Sequence, residues 1–440
     1  MELGYQEILE NVESTQVYRG TVVPPNRLDT TNGELVAALC STFSRQTLEE
    51  LRGALSEFTG CNHIYFAPSA RCAIARVLAA VPHRTVVMPA YTCPVVKTAV
   101  EVAGKDIMYV DIQRTSLNSR ASEFHRHAKE GRVLIPTHLF GIPTDIDEIC
   151  QVARQNGCLT IEDAAAAFGT SWKGRTLGTF GDVGIYSFER SKRLPAFRGA
   201  VILINNPSAI HSAKFVTDPI VATQRRLPLR ELAFALGFNV ATQPWLYGRY
   251  TLPRLLRKYA VALASRVPDC EDPRGTAFYT REFHSLQATL VLRMLRRLAE
   301  LRGHVARLAA VYRDTFRGTA VESFTSCGDS DAGLLRFPVV VRGRRRSDVL
   351  REALRRGLYL ETNYERPLPD ESKWGEFPNS LWAAENVILL PLYRSLALEH
   401  ARTLAATLVK VVEATRESGE CMSGQHIRKE HDRVLESTSH

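Results

Sequence analysis

The segments LTIED at 159–163 and VGIYSFERSK at 183–192 indicate the fold of this chain. Each begins as a short apolar run, which is typical of a strand buried on both faces of a parallel sheet. The first run ends on Glu162-Asp163, and Lys192 follows the second. Ligands of such sheets bind at the carboxyl ends of the strands. Asp163 and Lys192 are therefore expected at one site.

Strands and helices alternate on both sides of these two segments. This alternation predicts an α/β fold with a mostly parallel central sheet and helices on both faces. The further strands are expected at 64–66, 85–88, 107–110, 132–136 and 200–204, and the helices at 70–80, 95–103 and 145–156.

The pattern divides the chain into a series of units. We expect an N-terminal segment at 1–46, a large domain at 47–206, a helical insertion at 207–275, a long helix with a smaller C-terminal α/β domain at 276–418, and a disordered tail at 419–440. The long helix is predicted over 283–316, where leucines recur at helical spacing.

The insertion at 207–275 combines apolar, basic and aromatic residues, for example in PWLYGRY at 244–250. A helical segment packed on the body of the protein is the favoured interpretation. A surface for a partner and an amphipathic patch on a membrane remain open as alternatives.

Composition excludes several classes of protein. The net charge is +9, but the basic residues are scattered among acidic ones, which does not favour nucleic-acid binding. The N-terminus does not resemble a signal peptide, and no apolar run is long enough to span a membrane. The nine cysteines form no CxxC pair, and no metal-ligand spacing occurs, so we expect a cytoplasmic protein with reduced thiols and no metal.

Lys192 and Asp163 suggest a specific chemistry. A lysine after a buried strand can form a Schiff base with an aldehyde, and an aspartate at the end of a neighbouring strand can keep a pyridine nitrogen protonated. These are the two groups that pyridoxal 5'-phosphate requires. Ser69-Ala70-Arg71 lies between a predicted strand and a helix, where backbone N–H groups can bind the phosphate. Taken singly, the simpler interpretations are a surface lysine at Lys192, a strand-capping aspartate at Asp163 and a helix-capping serine at Ser69.

Several motifs, taken in order, carry a resemblance to a known family. They are PAYT at 89–92, THLFGIPTDID at 137–147, IEDAA at 161–165, LQA at 286–288 and LPL at 390–392. Together with Ser187 and Lys192 they resemble the DegT/DnrJ/StrS family of sugar aminotransferases, which are pyridoxal phosphate enzymes of fold type I. The resemblance covers about 50–204 and 281–408.

The resemblance implies roles for named residues. Lys192 would hold the cofactor through a Schiff base and Asp163 would pair with the ring nitrogen. The turn at 69–71 and the Ser187 hydroxyl would bind the phosphate. It also implies a homodimer with shared active sites, in which glutamate donates an amino group to a nucleotide-linked keto-sugar.

Several positions depart from the family pattern, and three of them are predicted site residues. Ala166 stands where the family has a glutamine on the phenolic side of the cofactor, and Cys93 where it has an aromatic residue that stacks on the pyridine ring. A thiol can make only a soft contact with the ring face. Arg281 falls in the place of an Asn-Tyr-Arg motif lent to the neighbouring subunit's phosphate, and could contact it by charge.

Three functions remain open from the sequence. The first is an aminotransferase, and the presence of Lys192 favours it over the family's dehydratases, which carry a histidine there. The second is a pyridoxal phosphate enzyme that performs elimination, replacement or cyclisation on an amino-acid substrate in a specialised pathway. The third is a scaffold or regulator that has lost catalysis.

Overall fold

The structure is a computed structural model. It describes residues 22–24, 27–28, 30–40, 46–210, 229–254, 283–324 and 333–415. The predicted tail at 419–440 and much of the N-terminal segment and of the insertion lie outside these ranges.

A seven-stranded sheet forms the centre of the large domain, in the order β1-β9-β8-β5-β4-β2-β3. Its strands are parallel except for β9, which runs antiparallel to β1 and β8. The fold class predicted from the sequence is confirmed. The strands are β1 Ile64–Ala67, β2 Thr85–Pro89, β3 Asp106–Val110, β4 Arg132–Leu134, β5 Leu159–Asp163, β8 Val183–Ser187 and β9 Ala200–Ile204, with β6 Ser171–Trp172 and β7 Arg175–Thr176 in a separate hairpin.

Helices cover both faces of this sheet. Because side chains alternate along a strand, Val86 packs with one layer of helices and Val87 with the other. The helices at Ala70–Ala79 and Pro94–Val102 lie in the first layer, and those at Ala121–His127 and Ile146–Gln155 in the second. The helices before the insertion are α1 Asn32–Cys40, α2 Gln46–Thr59, α3 Ala70–Ala79, α4 Pro94–Val102, α5 Ala121–His127 and α6 Ile146–Gln155, and α7 Leu229–Ala241 lies within it.

A smaller domain follows, built on the antiparallel sheet β10-β11-β12. Its own core contains Tyr312, Phe337 and Leu408. The elements from the domain junction onward are α8 Ser285–Leu295, α9 Leu298–Phe316, β10 Val321–Ser323, β11 Phe337–Val341, α10 Arg346–Arg355, α11 Pro378–Asn386, β12 Ile388–Leu390 and α12 Leu398–Ala414.

The prediction of a single long helix over 283–316 is wrong, because this segment forms two helices, α8 and α9, separated by a break. Arg297 leaves helical geometry there, with φ −109° and ψ 10°. Its guanidinium pairs with Glu34 at 3.1 Å and with Glu300 at 2.9 Å. The break allows α8 to pack in the large-domain core while most of α9 packs in the small-domain core.

The described part of the insertion is helical. After α7, a short helix at Pro244–Leu246 continues into a π-helical turn at Tyr247–Thr251. Among the residues that the structure describes, no helix is long and apolar enough to cross a membrane.

Gly184 provides a test of the close packing in β8. A Cβ at this position would lie 1.8 Å from the carbonyl oxygen of Gly178, and no rotamer change can relieve a clash with backbone. We expect Gly184→Ala to lower the free energy of unfolding by at least about 3 kcal/mol. Urea unfolding followed by circular dichroism measures this change.

Gly53→Ala is the matched control, because a Cβ at Gly53 in α2 meets nothing within 4 Å. It should leave stability unchanged or raise it by up to about 1 kcal/mol. Equal stability of the two variants would contradict the packing described for β8.

Candidate active site

A cleft opens at the carboxyl edge of the central sheet, with a volume of about 1120 Å³. The loops that follow five strands converge on it. They contribute Ser69 after β1, Cys93 after β2, Thr137 after β4, and Asp163 and Ser187 at the ends of β5 and β8. This is the position at which sheets of this class bind ligands.

Asp163 lies at the base of the cleft with 5% of its surface exposed. Its backbone N–H donates to Pro136 O at 2.9 Å, and its carbonyl accepts from His138 N–H at 3.1 Å. Ala165 N–H donates to Oδ1 at 3.1 Å. Burial raises the pKa of the Asp163 carboxyl, and the Ala165 N–H and the positive charge of Lys192 offset only part of this effect.

The side chain of Glu162 points to the face of the sheet opposite that of Asp163, where it holds a backbone loop and His138 in place. Its carboxylate accepts backbone N–H bonds from Gly178, Phe180 and Gly181, at 2.5, 2.7 and 3.0 Å. His138 Nε2 lies 3.0 Å from Oε1 of the same carboxylate.

The second contact of the His138 ring shows which of its two nitrogens carries the proton. Thr144 N–H donates to Nδ1 at 3.1 Å, so the proton is on Nε2, which donates to Glu162. The fully buried imidazole is thereby held in one orientation.

Lys192 lines the same cleft on a turn that follows β8. Its backbone N–H donates to Glu189 O at 2.9 Å, and Glu189 N–H donates to Ser187 Oγ at 3.3 Å. The side chain is half-buried. It lies close enough to Asp163 and Cys93 for its charge to lower the pKa of both groups against the larger effect of burial.

The loop after Lys192 is fixed by α8. Gly199 has φ +112°, and a Cβ there would lie 2.4 Å from the ring of Phe283. The side-chain amide of Gln287 donates to Ala196 O at 3.0 Å and to Arg198 O at 2.6 Å. These contacts hold the backbone that leads from Lys192 into β9.

The start of α3 lies at one end of the cleft. Ser69 is the N-cap, and its Oγ accepts from Cys72 N–H at 3.1 Å. First-turn N–H groups have no partner within a helix, and the helix dipole adds partial positive charge. Ser187 lies in the wall of the same cleft. A phosphate group is the ligand that this end suits.

The cleft brings together most of the site residues predicted from the sequence. They are Ser69, Ala70, Arg71, Cys93, Asp163, Ala166, Ser187 and Lys192. Arg281 lies outside the described residues.

Other lining residues were not predicted. Arg336, with 6% of its surface exposed, lies beside the cleft and pairs with Glu361 at 2.9 Å. Tyr364 follows in the same loop. Phe234 of the insertion is 49% exposed, and its ring centroid lies 5.3 Å from the guanidinium of Arg190. These residues reach the cleft by tertiary packing, and no local motif marks them.

The model of the DegT/DnrJ/EryC1/StrS aminotransferase family matches residues 34–240 and 275–409. The chain belongs to this family. The match includes all of the strands and helices that carry the eight predicted cleft residues.

Individual relatives are more distant. MosB of Rhizobium meliloti is 31% identical over 158 residues, which are 35% of this chain and 31% of MosB, so the match spans about a third of that relative. Spr1654 from Streptococcus pneumoniae, assigned as a sugar aminotransferase and solved in its PMP form, has a TM-score of 0.68 at 21% identity over 89% of this chain and 99% of its own. DesI, solved in the presence of its TDP-sugar product, has a TM-score of 0.65 at 18% identity over 94% and 97%. At these identities the two structures establish the shared fold, which is that of fold type I.

Asp163→Asn tests the electrostatics of the cofactor-free cleft. Because burial raises the pKa of Asp163 above its unfolded value, ionisation of this group destabilises the folded state as the pH rises through the interval between the two values. We therefore expect Asp163→Asn to raise the Tm of the cofactor-free protein at pH 8 by roughly 2 °C.

The advantage should shrink as the pH is lowered to 5, toward the pKa of an unfolded aspartate at about 4. Thermal unfolding at the two pH values measures it. A variant that is less stable than the wild type at pH 8 would show that the Asp163 carboxylate is not penalised by burial.

Proposed function

We propose that this protein is a pyridoxal phosphate-dependent aminotransferase that moves an amino group from glutamate to a keto substrate, a nucleotide-linked keto-sugar. The observation that carries the proposal is the placement of Lys192 and Asp163 in one cleft, with the N-terminus of α3 at its edge.

The described residues fit the cofactor group by group. The N–H groups of Ala70 and Arg71, with Ser187, would hold the phosphate. The Asp163 carboxylate would hold the pyridine nitrogen, and Lys192 the aldehyde carbon. When bound, this cofactor supplies an electron sink for the charge left on a substrate carbon after a proton is removed.

Asp163 keeps a proton on the pyridine nitrogen. Its burial makes an isolated negative charge unfavourable, and a cationic partner within hydrogen-bond reach reverses that cost. The carboxylate and a protonated nitrogen would thus stabilise each other at the base of the cleft, where Asp163 is buried. The contacts from Ala165 and His138 orient the aspartate for this pairing.

Lys192 is the base that moves a proton at the substrate carbon. Its amine is half-buried beside Asp163, on a turn fixed by the hydrogen bond to Glu189. A positioned general base of this kind contributes roughly 10²–10⁴-fold to rate.

The charge of the cleft supports anionic substrates. Five basic and three acidic side chains line its described wall, a difference of 5 − 3 = +2. These are Arg71, Arg190, Lys192, Arg198 and Arg336 against Asp163, Glu189 and Glu361. Glutamate and a sugar carried on a nucleotide both bring negative charge, and the sugar-nucleotide product named for DesI supports that acceptor class.

Family membership extends the proposal to a cytoplasmic homodimer with shared active sites. In it, Arg281 would contact the phosphate bound by the neighbouring subunit.

An absorbance spectrum tests the proposal directly. The wild-type protein incubated with pyridoxal phosphate should show a band near the edge of the visible range, because a Schiff base conjugated with the ring absorbs there. Lys192→Ala should abolish the band, and glutamate should bleach it in the wild type. We expect Lys192→Ala to lower the rate of amino transfer by at least about 10²-fold.

Lys173→Ala is the control, since Lys173 is a surface residue paired with Asp147 and lies away from the cleft lining. It should behave as the wild type. A Lys192-dependent band that glutamate does not change would instead favour elimination, replacement or cyclisation, for which Cys93 and Ala166 reshape the cleft. Failure of the wild type to form any band would favour a scaffold that has lost catalysis.

A further inference from the structure

A short loop of the small domain, which we call the strap (residues 361–368), crosses to the large domain at the cleft. At one end, Leu389 N–H donates to Glu361 O at 2.8 Å, which ties the strap to β12. At the other end, Leu368 N–H donates to Ala90 O at 2.8 Å, beside the end of β2. The strap is thus anchored on both domains, and Tyr364 lies at its centre.

The ring of Tyr364 is held by two aromatic neighbours. Tyr91 meets it edge-on with the centroids 5.6 Å apart, and Phe140 stacks on it at 5.8 Å with an interplanar angle of 25°. The Tyr91 hydroxyl also donates to Asn363 O at 3.3 Å. Tyr364 has φ +58°, a value that residues with a Cβ rarely adopt. The packing of its ring against Tyr91 and Phe140 holds the backbone in this conformation.

Tyr364 faces the part of the cleft that contains Cys93 and Asp163. It lines the cleft with both of them. Burial raises the pKa of its hydroxyl, and the neighbouring Cys93, Tyr91 and Asp163 raise it further. The phenol therefore stays neutral, and it lines the same cleft as the Asp163 carboxyl that would pair with the pyridine nitrogen.

Other aromatic residues in the described wall are placed differently. Phe140 lies behind Tyr364 and stacks on it. Phe197 belongs to the loop after Lys192, and Phe234 to the insertion, where Arg190 covers it. Tyr364 is therefore the best-placed ring for contact at the Cys93 side.

We propose that Tyr364 is a cofactor-positioning residue, whose ring packs against the pyridine ring held between Lys192 and Asp163, on the side where Cys93 presents only a thiol. An electron-rich phenol ring favours contact with an electron-poor, cationic ring. This inference rests on the cofactor binding in the proposed function. It also makes cofactor retention depend on the docking of the small domain through the strap.

Release of the cofactor from loaded protein tests this role without measuring turnover. Wild type, Tyr364→Phe, Tyr364→Leu and Tyr364→Met are loaded with pyridoxal phosphate, and loss of the Lys192-dependent band is followed after dilution into a scavenger of the free aldehyde. Tyr364→Leu and Tyr364→Met should release the cofactor about tenfold faster than the wild type. Tyr364→Phe keeps the ring and should stay within about twofold.

A rescue variant makes the test specific for the ring contact. Cys93→Phe combined with Tyr364→Leu should restore slow release, because it returns an aromatic ring to the same side of the site. Thermal unfolding of each cofactor-free variant identifies those that do not fold. Tyr364→Leu and Tyr364→Met both remove the ring but leave apolar side chains of different shape, so the comparison does not depend on one variant.

The outcomes separate this proposal from the proposed function. A wild type with no Lys192-dependent band overturns both. A wild-type band with unchanged release from folded Tyr364→Leu and Tyr364→Met overturns the role of Tyr364 alone. Release from Tyr364→Phe as fast as from Tyr364→Leu would assign the effect to the hydroxyl, and would also overturn the ring contact.

Discussion

The burial of the Asp163 carboxylate is the constraint on which the site depends. A carboxyl group that is almost fully buried is unfavourable when ionised, unless hydrogen bonds and a positive charge compensate it. Ala165 N–H supplies the hydrogen bond by donating to Oδ1 of Asp163, while Pro136 and His138 fix the backbone of Asp163 on both sides. The compensating charge comes from Lys192 and, in the proposed function, from the cofactor. Removing β4 or β8 from the sheet would leave this carboxylate unsupported.

Glu162 and Asp163 are adjacent carboxylates with opposite tasks, and the pleat of β5 separates them. Glu162 is fully buried and bonded to three backbone N–H groups and to His138, so it is a structural anchor. Asp163 keeps one side open to the cleft. His138 connects the two carboxylates, because its ring bonds to Glu162 and its backbone N–H donates to the carbonyl of Asp163. The contacts of Glu162 therefore help to fix the position of Asp163. The loop at 178–181 therefore belongs to the site, although the cleft does not include it.

The sequence was most informative where local pattern and tertiary position coincide. The seven strands of the central sheet and the helices α3, α4 and α6 were predicted because each is a short apolar run or an amphipathic segment bounded by turn residues. Helix α5 and the hairpin of β6 and β7 were missed, because they are too short to show a periodic pattern. Asp163 and Lys192 could be placed together because both follow strands of one parallel sheet. The break between α8 and α9 was missed because leucines continue across it at Leu295 and Leu298. The break arises because α8 packs in the core of the large domain and most of α9 packs in that of the small domain. Tyr364 and Arg336 could not be found locally, since the packing of the small domain brings them to the cleft.

The strap also has a consequence for the order in which the protein matures on the ribosome. Domains tend to fold from the N-terminus as they are synthesised. The loops that carry Ser69, Asp163 and Lys192 are synthesised long before residues 361–368. Tyr91 and Phe140 cannot be fully buried until the small-domain core into which they pack has also been synthesised. A nascent large domain thus presents an unfinished cofactor pocket beside exposed apolar surface. With the role proposed for Tyr364, stable capture of the cofactor is a late event, which follows release of the C-terminal region from the exit tunnel.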